Sequence, residues 1–351
     1  MTTRRLRVAL LAGGRSSEHD ISLASARSVL EALDPARYDV VGVAIGRDGR
    51  WALQSGDTDV SDVLVAATET EVSPAATLPV PAEDGTLAAL GAVDVVLPIL
   101  HGPFGEDGTV QGLLELADIP YVGAGVAASA LAMDKDLFKK VMRDSGIPVA
   151  RHHTIRLGDA VDNPIGYPAF VKPARLGSSV GISKVHDDAE LEAAVALARR
   201  HDEKVLVEEL VSGMEVECGV LGNRLPPPIA SLPGRIDTLE HDWYDYASKY
   251  EEGGMELVIP PELPQHTIDL VQQRAVDAFV ASECEGMARV DFFVRDDGEV
   301  VVNELNTIPG FTATSVYAKL FQASGIEYAE LLDRLIGLAL ERHERRSRLE
   351  F

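Results

Sequence analysis

The chain has 351 residues, 46% of them hydrophobic and 25% charged, with a mean hydropathy near zero, which fits a globular protein of two or three domains. Its formal charge of −24 argues against nonspecific binding to nucleic acid or to anionic membranes, since both need a basic footprint, and no apolar run approaches the roughly 18 residues of a membrane span. Two cysteines, Cys218 and Cys284, are too few for a disulfide framework and lack metal-ligand spacing, and the apolar stretch Val8 to Ala12 is shorter than a signal-peptide core, so the expected compartment is the cytoplasm.

The first third alternates a strand over RVALLAGG, a helix from about Ser22 to Leu33, strands over YDVVGVAIG and VDVVLPILHG, a helix from about Thr109 to Ala117, and a strand over IPYVG. Near-continuous apolar strands separated by helices predict a parallel, doubly wound α/β sheet with ligands at the strands' carboxyl ends. Residues 51–90, polar and rich in Ala, Thr and Pro, read as a surface insertion. After Gly13 and Gly14, Ser17 and Asp20 make a capping-box pattern that puts Glu18 in the first helical turn. An acid there serves the helix dipole or receives a substrate ammonium. In HGPFGEDGT, residues 101–109, glycines let backbone approach a ligand closely. His101 is either a substrate-contacting group or a satisfied strand-end histidine. Gly123 to Ala128 matches the dinucleotide fingerprint G-x-G-x-x-A, but it follows several strands instead of the first, and no acid-ended strand comes after it at the required spacing. No Walker pattern occurs, which excludes a P-loop.

A second region, residues 125–211, holds the helix MDKDLFKKVMRDSG with a stop at Gly146 to Pro148, strands around AFVKPA and GISKV, the helix DDAELEAAVALARR and the strand KVLVEEL. Against the acidic background, Lys135, Lys139 and Lys140 in one helix and Lys172 on an apolar strand mark where an anion would be held. Lys172 leads into the loop Gly177 to Gly181, whose amides and Ser178 and Ser179 hydroxyls can close over phosphates. A plain glycine hairpin explains the loop but not the lysine. Glu208 and Glu215 bracket the junction with the third region, residues 212–351, where they suit adenine and ribose recognition or are solvated surface acids. That region carries a Pro/Gly-punctuated loop from Arg235 to Gly254, a hairpin and a charged terminal helix.

The hairpin, ARVDFFVRDDGEVVVNELN, is the most informative stretch. Apolar, β-branched runs flank Asp297 and Gly298, a two-residue hairpin signal. With that loop, Asp296 faces Glu299, and counting back sets Asp291 opposite Glu304 and Arg289 opposite Asn306. A three-residue loop would shift the register and remove the facing pair. Facing carboxylates, with Cβ atoms roughly 4.5–5.5 Å apart, repel unless something positive sits between them. Two carboxylates and an amide without nearby His or Cys suit Mg²⁺, while a solvated polar face with an ion pair to Arg289 explains the same residues.

Eight blocks in order, GGRSSEHDIS, HGPFGEDGTVQGLLE, MDK, VKPARLGSSVGISKV, VEELVSGME, YDYASKY, ARVDFF and NELNTIPGFTATS, closely resemble the D-alanine:D-alanine ligases of the ATP-grasp superfamily. The resemblance implies an N-terminal Rossmann-like substrate domain over residues 1–124, followed by a two-part ATP-grasp fold: a central subdomain, 125–211, and a C-terminal subdomain, 212–351, with the metal site and a lid loop, 236–254. It implies ATP held by Lys139, Lys172, Ser178 and Ser179 at the phosphates, by Glu208, Glu209 and the backbone near Val211 at the adenine, and by Glu215 at the ribose. Asp291, Glu304 and Asn306 fall on the ligands of two Mg²⁺ ions, with Mn²⁺ as a substitute. Glu18 would bind the first D-alanine ammonium with His101 nearby; Lys249, Ser315 and Val316 would hold the second D-alanine; Arg289 and the Gly310 amide would form an oxyanion site. Ser178 and Tyr250 would link to Glu18 in a network that shuts the lid. Leu176 and Glu209 depart from the usual polar residue and lysine. The Lys249–Tyr250 pair looks like that of dipeptide formers, so the expected product is D-alanyl-D-alanine for peptidoglycan synthesis, made by a homodimer. A D-lactate- or D-serine-accepting ligase, a nicotinamide dehydrogenase built on Gly123 to Ala128, and a noncatalytic nucleotide binder are the competing readings.

Overall fold

A computed structural model describes residues 4–53, 92–238 and 255–350. Its first sheet is built on β1 (Leu6–Gly13), which pairs in parallel with β2 (Tyr38–Ile45) on one side and, on the other, with a strand at Val95–Ile99. β3 (Trp51–Leu53) adds an antiparallel edge to β2, and the Val95–Ile99 strand is β4, giving the order β3-β2-β1-β4. The sheet is therefore mixed at one edge, because Trp51, expected in the insertion, is buried there as a strand residue. The rest of that insertion lies outside the described residues. IPYVG forms a single bridge, Val96 to Tyr121, instead of a strand. α1 (His19–Ala32) begins earlier than expected, with Glu18 as its N-cap and no side-chain cap bond. The capping box over Ser17 and Asp20 does not form; the Glu18 amide is taken instead by the Ser16 hydroxyl at 3.2 Å. α2 (Thr109–Leu116) follows as expected.

Next come α3 (Val126–Met133) and α4 (Lys135–Asp144), separated by Asp134, whose carboxylate caps α4 by accepting from the Leu137 amide. The second sheet is antiparallel, made of β5 (His152–Ile155), β6 (Ala169–Pro173), β7 (Ser183–Val185) and β8 (Val205–Glu209) in the order β5-β8-β6-β7. α5 (Asp188–Ala198) covers its apolar face.

The third sheet is also antiparallel: β9 (Met214–Gly222), β10 (Ile229–Ala230), β11 (Gly234–Thr238), β12 (Met255–Val258), β13 (Gly286–Val294) and β14 (Val300–Asn306). Its order is β12-β11-β9-β13-β14, with β10 also on β9. The predicted loop from Arg235 therefore starts as strand β11, paired with β12 at its far end; residues 239–254, with Lys249 and Tyr250, lie outside the described residues. α6 (Gln265–Ala281), α7 (Val316–Ala323) and α8 (Tyr328–Arg346) complete the order.

Packing cuts across the sequence segmentation. Leu331, Leu332, Leu335 and Ile336 of α8 share a core with Val8, Leu10 and Leu97 of the first sheet, so the end of the chain covers the beginning. Ala128 and Ala132 of α3 and Phe138 and Met142 of α4 pack with Val216, Val290 and Val302 of the third sheet; the central unit's own core begins at Ile155. The dinucleotide-like turn is closed. Arg342 of α8 donates to the Tyr121 and Gly123 carbonyls, and a Cβ on Gly286 would come within 3.2 Å of Gly123. No pyrophosphate can approach a turn filled in this way, which removes the nicotinamide reading.

Candidate active site

The hairpin meets its predicted pairing by an unpredicted route. The Arg295 amide donates to the Glu299 carbonyl and the Gly298 amide to the Arg295 carbonyl, so the loop has three residues, 296–298, with Gly298 in the left-handed region. That shifts the register by one, as Val294 pairs Val300 and Phe292 pairs Val302. A bulge at Asn303 then shifts it back, and Asp291 pairs Glu304, Val290 pairs Leu305 and Arg289 pairs Asn306. Without the extra residue Glu304 would point into the core, because each one-residue slip exchanges the faces. The bulge also aims the Asn303 carbonyl at α4, where it accepts from Lys139 at 2.9 Å.

The opposed acids are balanced by cations from two elements. Arg289 donates to both oxygens of Asp291 at 2.7 and 2.8 Å and pairs with Glu217 of β9 at 2.9 Å. Lys135 pairs with Glu304 at 3.2 Å. The Asn306 amide nitrogen donates to Asp291 at 3.0 Å. Two carboxylates and an amide make a hard-oxygen donor set that fits Mg²⁺ with water and phosphate completing its shell. Among the described residues no three His, Cys, Asp or Glu side chains converge on one point, so the protein donors alone do not fill an octahedron.

Between the second and third sheets runs a cleft lined by Lys172, the loop at Gly177 to Ser179, Glu208 to Gly213, Glu215 and Glu304. At its floor Glu208 is buried between Lys139 at 2.9 Å and Lys172. Burial acts to raise this carboxyl, but the two ammonium charges and their hydrogen bonds outweigh it and hold it down at about 2. Burial lowers Lys139, with Glu208 opposing. The site is thus a charge-balanced anion seat. α4 is fixed for this by Asp136, buried beneath it, which accepts from Thr154 of β5 at 2.9 Å and from Lys140 at 2.9 Å. Glu209 accepts from the Arg151 amide and side chain, and Val211 and Glu215 line the outer cleft.

A second cleft opens at the carboxyl edge of the first sheet, lined by Glu18, His101, Glu106, Arg289, Gly310, Ser315 and Val316. It meets the first at Gly177, Ser178 and Glu304. The Ser178 hydroxyl donates to Glu18; Ser178 and Ser179 are both held at positive φ, a strained backbone that aims the loop at the seam. Gly102 lies so close that a Cβ would sit 2.8 Å from Glu18 Oε2. His101 Nδ1 donates to the Ile308 carbonyl at 2.9 Å, which leaves Nε2 as the bare, acceptor nitrogen; burial lowers the imidazole, with Glu18 opposing. Ser315 caps α7, and its hydroxyl meets Thr312 at 2.8 Å, so a helix N-terminus faces this pocket, a favourable place for a carboxylate. The structure thus brings the two halves of the predicted site together at one hairpin. The sequence reading passed over Glu106 and Glu217. Glu217 was legible from the alternation of MEVE, which puts it on the face of Glu215; Glu106, half-buried in a loop, had no periodic signal.

A lysine-floored cleft between two antiparallel sheets, an acid-lined pocket at the edge of the first sheet and a carboxylate-bearing hairpin at their seam have the arrangement of an enzyme active site. Two family models match, "D-ala D-ala ligase N-terminus" over residues 7–124 and "D-ala D-ala ligase C-terminus" over residues 141–337. A D-alanine–D-alanine ligase of Mycobacterium sp. (strain KMS) is 47% identical, with 97% of each chain covered. Among solved structures, a D-alanine–D-alanine ligase of Coxiella burnetii is similar at TM-score 0.81 and 36% identity, covering 98% of this chain and 97% of that one. VanG D-Ala:D-Ser ligase of Enterococcus faecalis is similar at 0.81 and 35%, covering 96% and 100%. A Bacillus anthracis D-alanine–D-alanine ligase complexed with ATP is similar at 0.74 and 26%, covering 97% and 99%. The chain belongs to the D-alanine–D-alanine ligase family of enzymes.

Proposed function

We propose that the protein ligates two D-alanine molecules at the expense of ATP through an acyl phosphate, supplying D-alanyl-D-alanine for peptidoglycan in the cytoplasm, as a homodimer. The observation that carries the reading is the meeting of the two clefts at Ser178 and Glu304. The anion seat would take the triphosphate, with Lys139, Lys172, Ser178 and Ser179 at its phosphates, Glu209, Val211 and the peptide edge beside Glu208 at the adenine, and Glu215 at the ribose. Glu208 itself is engaged by both lysines, so its part at the adenine would pass through its backbone. Mg²⁺, or Mn²⁺, held by Asp291, Glu304 and Asn306, would supply charge neutralisation on the transferring phosphate.

Glu18 would hold the first ammonium, and Arg289 with the Gly310 amide would hold the carboxylate that receives phosphate. That step converts a poor acyl donor into one with a good leaving group. The second amine, once neutral, attacks the acyl carbon; the oxyanion that forms is stabilised by Arg289 and Gly310, and phosphate departs. Lys249, Ser315 and Val316 would seat the second substrate, the helix terminus at Ser315 favouring its carboxylate. Ser178, with Tyr250, would hold the covering loops shut so that water does not consume the activated acyl group. Protein incubated with ATP, Mg²⁺ and D-alanine should release phosphate and dipeptide in equal amounts. Absence of D-alanine-dependent ADP rejects the reading, and preference for D-serine in a competition assay reassigns the second substrate.

A further inference from the structure

The loop from His101 to Gly108 is held rigidly by its own contacts. The Gly105 and Glu106 amides both donate to the Gly102 carbonyl at 3.1 Å. Gln111 of α2, buried, donates to the Gly105 carbonyl at 2.9 Å and accepts from the Gly108 amide at 3.1 Å. From this platform two side chains reach across to the turn that follows β14. Glu106 Oε1 accepts from its own loop at Gly102, 2.9 Å, and Oε2 accepts from the Ile308 amide at 3.3 Å. His101 Nδ1 donates to the carbonyl of the same Ile308 at 2.9 Å. The residue is therefore gripped through both of its backbone groups by one loop of the first sheet. Two residues on is Gly310.

We propose that Glu106 is a positioning residue of the ligase: with His101 it clamps Ile308 and so sets the Gly310 amide over the donor subsite, making assembly of the oxyanion site depend on docking of the N-terminal unit. This rests on the proposed role of Gly310. The clamp adds polar bonds to a seam where Ile308 and Met287 of the C-terminal unit already pack in one core with Leu97 and Ile99 of the first sheet. An amide displaced by about 1 Å from the developing oxyanion forfeits on the order of 100-fold in rate, so a carboxyl acting through Ile308 can govern turnover. The clamp is also linked to the donor. Burial, then the nearby Glu18 charge, push Glu106 up to about 8, against the Gly102 and Ile308 amides and Lys135, which lower it. Ionised Glu106 adds negative charge beside the ammonium seat, so the donor-site KM falls as pH rises through that value.

The test compares wild type, Glu106→Gln and Glu106→Ala for ADP release and dipeptide formation, with D-alanine varied at several pH values and ATP binding measured by calorimetry. Gln keeps one acceptor oxygen and the side-chain volume, so it guards against a misfolded Ala variant. We expect kcat to fall about 100-fold in the Ala variant and roughly 10-fold in the Gln variant, ATP affinity to stay within about twofold, and the pH dependence of donor-site KM to flatten in both. Wild-type-like kcat and an unchanged pH profile in both variants overturn the proposal. So does a loss of turnover matched by an equal loss of ATP-binding protein, which marks a purely structural role. No D-alanine-dependent turnover by wild type overturns the ligase reading together with this inference.

Discussion

Two glutamates, Glu208 and Glu106, sit in adjoining clefts of the same site and are driven in opposite directions: the first is held at about 2 and the second raised to about 8. Burial pushes both the same way, upward. The difference lies in the neighbours, two lysines against Glu208 and another acid, Glu18, near Glu106. Under the proposed function each seat would match the charge it receives: the lysine pair would take the triphosphate with Glu208 as its resident countercharge, and the acids Glu18 and Glu106 would gain most when the ammonium arrives.

The largest expected effect comes where the clefts meet. Glu304→Gln should lower turnover by at least about 100-fold and steepen the dependence on Mg²⁺; near-normal rates in a low-Mg²⁺ titration would break the idea that one hairpin serves both seats. Glu208→Gln leaves Lys139 and Lys172 buried without their countercharge, a loss of about 3 kcal/mol. Thermal melts should show a lowered Tm that ATP largely restores, and an unchanged Tm without nucleotide would contradict a charge-balanced seat. Gly102→Ala sets a Cβ against Glu18 and forces a residue with a side chain to φ +72, so the donor-site KM should rise roughly 10-fold, with ATP binding kept. The smallest effect is in stability against pH. Glu208, with its folded value below the ordinary 4.5, contributes stability present above 4.5 and lost as pH falls towards about 2. Glu106, raised from the same ordinary value, contributes stability present below 4.5 and lost as pH rises to about 8. Denaturant melts of Glu106→Gln should therefore lack the alkaline decline while keeping the acid one.

The hairpin shows how far reading the chain could go. Facing of Asp291 and Glu304 was expected from a two-residue loop; a three-residue loop and a bulge at Asn303 give the same pair. Two one-residue shifts cancel, and neither has a signal in an alternating pattern that both preserve overall. The lysines of α4 stood out against an acidic chain, and Lys172 of β6 because it interrupts an apolar strand. Glu106 did not, because a loop acid becomes distinctive only when another part of the chain removes its water.

Period, charge and turn chemistry within short windows determined the alternation of strands and helices and the lysine-bearing elements, and eight ordered motif blocks carried the resemblance to the family. Folding over long separations decided the rest: α8 covering the first sheet, the dinucleotide-like turn filled by Arg342, the bulge that re-aims Glu304, and the opposite charge states of Glu208 and Glu106. Those outcomes depend on desolvation and on partners up to a few hundred residues away, such as Arg342 and Gly123, and no local pattern of residues carries that information.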